Sequence, residues 1–161
     1  MAGERWAVGG ERVLCAAERR ALGLLCAALD LSRVRVHRGR GGRMARAARS
    51  VVLTVGCGRA VTLGNHVFLP DPVAQSIPVL AHELTHCAQY QAWGFLRYYT
   101  RGLAERVREL RHRLGLGHSP YAWEPGLPFS EYGMEQQGQI VEDCFRGCPH
   151  AASISPYQPG A

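Results

Sequence analysis

Five consecutive residues, His82-Glu83-Leu84-Thr85-His86, put two imidazoles four positions apart with a carboxylate directly after the first. On an α-helix a step of four returns to the same face one turn on, so both rings can reach one tetrahedral metal ion. Glu83 then projects beside that ion, where a carboxylate can take the proton of a metal-bound water whose pKa has been lowered. The chemistry this pattern predicts is hydrolysis of a peptide bond at a single Zn2+ ion. His82 and His86 are the expected ligands and Glu83 the expected general base. The competing reading, two surface histidines on a structural helix, predicts no third ligand nearby.

A hydrolytic zinc needs a third protein ligand and one open position. No histidine follows His86 at the spacing a third imidazole would need, so the remaining source is a glutamate from a later helix: Glu124, Glu131, Glu135 or Glu142. Glu135 is favoured, because Gly138 leaves room on the same helix face for close approach to the motif helix. Glu142 and Glu131 stay open as alternatives. Glu131 is equally explained as an acidic residue at a helix start, and Glu142 on its own reads as a solvated helix carboxylate. Asp143 is the expected acceptor for the outer N–H of a zinc-bound histidine. For the donor that would meet a developing oxyanion, the sequence offers Tyr98, Tyr99, Tyr121, Tyr132 and His118 without choosing among them.

These side chains need elements to place them. Apolar residues at helical spacing from Glu11 to Leu29 predict one amphipathic helix. Between about 33 and 69 the pattern turns to short strands: Val34–Val36, Val51–Val55, Ala60–Leu63 and His66–Leu69, the last two flanking a Gly64-Asn65 hairpin turn. Pro70 and Pro72 end that region. Helices then run from about 73 to 147, with the first punctuated at Gly94, the second ended by Gly115, and a last one from about Glu131 to Arg146. Sheet first and helices afterwards predicts an α+β class, with a small, mostly antiparallel sheet backing the motif helix. A single domain over 1–150 and a loose tail over 151–161 complete the expected organisation.

Composition bounds the rest. The 161 residues are 47% hydrophobic and 20% charged, as in an ordinary globular domain. The net charge of +6 rests wholly on arginine, since the chain has no lysine. Arg-dense stretches at 33–49 and 97–113 come with no nucleic-acid motif, and Glu109 can pair with Arg113 along a helix. No nucleic-acid partner and no membrane span is expected. The six cysteines have no disulfide rhythm and read as small buried residues. Cys144, Cys148 and His150 have zinc-like spacing but lack a fourth ligand. Without a leader pattern the expected location is the cytoplasm, with export only by a specialised secretion system.

The stretches Thr62-Leu63-Gly64-Asn65-His66-Val67-Phe68-Leu69, Leu80 to His86, Gln89-Tyr90-Gln91 and Glu135 to Asp143 together resemble a bacterial family of small zincin-like domains. That family is associated with extracellular contractile injection systems and with Vgr-related proteins of type VI secretion loci. The similarity runs over roughly 30–147, with Cys87 and Gly138 where the family pattern has a bulkier apolar residue and an alanine. The resemblance implies a metallopeptidase-type fold binding one zinc, His82, His86 and Glu83 in their motif roles, and Glu135 at the matching third-ligand position. Its implied partners are a peptide or protein substrate and secretion-apparatus proteins. It equally allows a catalytically weak or silent component of such an apparatus.

Overall fold

The computed structural model describes residues 11–38 and 59–160. Strand β1 (Glu11–Arg12) is followed by helices α1 (Ala16–Leu22) and α2 (Leu24–Ala27), then β2 (Arg35–Arg38). Strands β3 (Val61–Leu63) and β4 (His66–Leu69) form a hairpin. Helix α3 (Ile77–Arg113), α4 (Met134–Phe145) and α5 (Pro149–Ile154) complete the α+β architecture that the sequence predicts. The expected strand Val51–Val55 lies outside the described residues.

The sheet has the order β1-β2-β4-β3. Its outer pairs are antiparallel, as expected, but β2 and β4 run parallel, with Val36 opposite Val67. The sheet is therefore mixed. Register lines up Val36, Val67 and Thr62 across three strands on the face that meets α3, and all three are buried. Against them α3 sets Leu80, Ala81, Leu84 and Cys87. Pro72 lies in the 3-10 turn Asp71–Val73, and the helix starts at Ser76, whose Oγ accepts from the Val79 N–H at 3.4 Å. No helix among the described residues is long and apolar enough to cross a membrane.

Three expectations are corrected. The single helix over 11–29 is instead a strand and two short helices broken at Gly23, whose φ of 49° is left-handed. The tail over 151–161 is not loose through residue 160. Pro149–Ile154 is helical, Ala151 is fully buried, Tyr157 packs on the core and the Gly160 N–H donates to the Ala21 carbonyl at 2.9 Å. One contact explains both, because a Cβ on Gly23 would stand 3.0 Å from the Gln158 carbonyl oxygen. The last long helix begins at Met134 and not at Glu131, which ends a separate 3-10 turn at Phe129–Glu131. Glu135 accordingly sits in the first turn, not one turn inside.

Candidate metal centre

The hydrophobic stripe that docks α3 on the sheet fixes where the other face of the helix points. With Ala81, Leu84 and Cys87 in the core, His82 and His86 turn toward α4, their rings 5.0 Å apart. There the Glu135 carboxylate meets both, with Oε2 3.6 Å from His82 Nε2 and 3.4 Å from His86 Nε2. One ligand atom from each of the three residues lies within 4.8 Å of the others, and no other such group occurs among the described residues. Gly138 permits this approach, since a Cβ there would be 2.8 Å from His82 Nε2.

The outer ring nitrogens are committed elsewhere. His82 Nδ1 is 2.9 Å from Glu142 Oε2, and His86 Nδ1 is 2.8 Å from Gln89 Oε1. Gln89 is itself oriented, because its Nε2 donates to the Met134 carbonyl and to Gln137 Oε1. Its oxygen must therefore accept from His86, which puts a proton on Nδ1 and leaves Nε2 facing Glu135. Glu142 Oε2 favours the same tautomer in His82, while Oε1 accepts from Arg146 at 2.5 Å. Nε2 of both rings and the Glu135 carboxylate thus converge on one point, and in the neutral imidazole form they could hold a metal ion.

Two of the separations are close to those of a tetrahedral zinc site. Ligands about 2.1 Å from a tetrahedral ion stand about 3.4 Å apart, and the two Nε2–Oε2 separations are 3.6 and 3.4 Å. Without an ion, burial works against protonation of His82, but Glu135 and Glu142 outweigh it and lift its pKa to about 10. His86 is raised too, against burial, chiefly by Glu135. Burial would raise Glu135, yet the two imidazoles hold its carboxyl far below the usual carboxylate range.

Glu83 lies on the sheet side of the pair. Its Oε2 accepts from Thr62 Oγ1 at 2.7 Å, and burial pushes its pKa up against the pull of His82 and His86. Thr62 belongs to β3, an edge strand among the described residues, and its carbonyl accepts from the Tyr98 hydroxyl at 3.1 Å. A cavity of about 770 Å³ opens over this arrangement, lined by the ligand triad, Glu83, β3 and the second half of α3.

Of the five candidate donors, Tyr98, Tyr99 and Tyr121 line the cavity, whereas Tyr132 and His118 do not. The Tyr98 hydroxyl is spent on Thr62, and the Tyr132 hydroxyl on the Glu124 carbonyl. The Tyr121 ring is 6.4 Å from that of His82, and burial raises its hydroxyl to about 12, so it stays a donor near neutral pH. Asp143 does not serve the histidines, for it accepts from Trp123 Nε1 and Gln139 Nε2. The buried residue before it, Glu142, does so instead, and the solvated reading of Glu142 falls with that. A clue lay in the spacing, because Glu142 follows Glu135 by seven and so shares its helix face. Glu124 and Glu131 lie outside the triad, as do Cys144 and Cys148; Cys144 Sγ contacts the Tyr157 carbonyl and Gln158.

Residues 26–94 match the family model of the eCIS core domain. No curated protein and no solved structure matches the chain. The matched stretch contains both histidines and Glu83 and ends at the Gly94 break, before Glu135. This match associates the chain with extracellular contractile injection systems.

Proposed function

We propose that this protein is a zinc-dependent peptidase of the HExxH type working in the setting of a contractile injection system. The observation that carries the reading is the meeting of His82 Nε2, His86 Nε2 and Glu135 Oε2 within 4.8 Å, with Glu83 beside them. A zinc ion held by His82, His86 and Glu135 would polarise the substrate carbonyl and acidify water. Glu83, pinned through one oxygen by Thr62, receives the proton of the attacking water and returns it to the leaving amine. The Tyr121 O–H donates to the developing oxyanion. Glu142 and Gln89 hold a proton on each Nδ1 and aim both Nε2 atoms at the ligand point. The cavity, about 770 Å³, has the size of an ordinary ligand-binding cleft.

The test is to measure zinc content and cleavage of a peptide library together. Wild type is expected to hold one zinc and cleave, Glu135→Ala to lose zinc, and Glu83→Gln to keep zinc while losing at least a hundredfold in rate. Cleavage by Glu83→Gln at the wild-type rate overturns the mechanism. The eCIS core match is as well served by a second reading, a zinc-bound but catalytically silent component of the injection apparatus. Stoichiometric zinc with no cleavage by wild type selects it.

A further inference from the structure

Once the groups that hold and serve a metal are set aside, two charged side chains remain on the cavity wall, Arg59 and Arg106. The other lining carboxylates are accounted for. Glu135 faces both histidines, Glu83 is bonded to Thr62, and Glu142 is divided between His82 and Arg146. Arg59 and Arg106 share a single carboxylate, Glu109, at 3.6 and 2.9 Å, and Arg113 also bonds it at 2.5 Å. Arg59 and Arg106 thus have one carboxylate between them. Both cavity arginines keep much of their side chains open, with relative exposures of 59% and 44%.

Their placement ties them to the proposed reaction centre. The Arg59 guanidinium lies over the Tyr121 ring, 5.4 Å from its centroid, and Tyr121 is the neighbour of His82. At about 3.4 Å per extended residue, an anion on Arg59 would lie within about three residues of a bond held at the metal. The rest of this wall, Tyr99, Gly102 and Leu103, carries no charge. A planar guanidinium pair beside an apolar wall matches a carboxylate, which each Arg can take through two N–H donors.

We infer that Arg59 and Arg106 form an anchoring subsite for a substrate carboxylate, so that the cleft selects peptides bearing an acidic side chain or a free C-terminus near the scissile bond. This rests on the peptidase reading for its substrate class but not for its binding measurement. The carboxylate replaces water on the two guanidiniums while Arg113 stays on Glu109. Because Arg59 also rests on Tyr121, selection is read from binding and not from turnover.

The experiment uses calorimetry on Glu83→Gln protein with alanine-based hexapeptides carrying one central Glu or Gln, each with a free or amidated C-terminus. Tighter binding of the charged member by at least tenfold is expected, falling to less than twofold in Arg59→Gln/Arg106→Gln and returning only in part in Arg59→Lys/Arg106→Lys. A preference that follows Glu assigns the subsite to side chains, and one that follows the free C-terminus assigns it to chain ends. Equal binding of charged and neutral peptides, no measurable binding of either, or a preference that survives the double Gln variant overturns the subsite. Acid-selective binding with no cleavage by wild type would sink the peptidase reading and keep the subsite. Cleavage with no acid preference would do the reverse.

Discussion

Gly138 is where two helices come close enough for one side chain to decide the site. A Cβ there would meet His82 Nε2 at 2.8 Å and two ring carbons at 2.9 and 3.0 Å, closer than Cβ atoms pack. Gly138→Ala must therefore push α4 or the ring away from the ligand point. It is expected to weaken zinc binding at least tenfold in a chelator competition, with the far-UV circular dichroism unchanged. An alanine variant that binds zinc as tightly as wild type would show that the imidazole has room to retreat. The residues around the triad differ in how far sequence reveals them. His82, Glu83 and His86 are legible because one helix turn sets their spacing. Glu142 and Gln89 hide because their carboxylate and amide gain meaning only when matched to a particular Nδ1. Thr62 hides more deeply, since nothing local distinguishes a threonine that bonds a glutamate 21 residues away from one that simply fills a strand.

At the scale of elements, the Gly94 break separates the ligand-bearing half of α3 from the half that walls the cavity. Its φ of 75° and ψ of 174° lie in a region essentially reserved for glycine, and a Cβ there would touch nothing. Gly94→Ala is thus expected to cost about 1–3 kcal/mol in urea unfolding through backbone strain alone. Gly102, eight residues on, has ordinary helical backbone and equally open surroundings. Gly102→Ala should instead stabilise by about 0.5–1 kcal/mol, and an opposite ranking of the two would refute the backbone account. The break and the Gly64-Asn65 hairpin are readable because glycine punctuates a clear period. The parallel pairing of β2 with β4 is not, because it joins strands 31 positions apart through register alone. Gly23 misleads for the same reason. Alanines and leucines around it keep helical spacing, and the segment that forces the break comes from the far end of the chain.

For the molecule as a whole, an ion pair at the edge of the fold contributes to its response to acid. Glu18 bridges β1 and α1, accepting from both terminal nitrogens of Arg12 and from the Cys15 N–H at 2.9 Å. Burial would raise its pKa, but these bonds outweigh it and hold the carboxyl below its ordinary 4.5. A folded-state pKa below the unfolded one means that the stabilisation is whole above pH 4.5 and fades as pH falls through the lower value. Glu18→Gln should lower stability at neutral pH and flatten the decline below pH 4.5, as read by urea midpoints across pH; a decline as steep as wild type would assign it to other carboxylates. The tie between Gly160 and Ala21 bears on synthesis. A chain made at about 5–20 residues per second presents its first two helices on the order of ten seconds before the segment that locks them. Until then Gly23 has nothing to bend around, and α1 and α2 are free to run on as the single helix that their own residues favour.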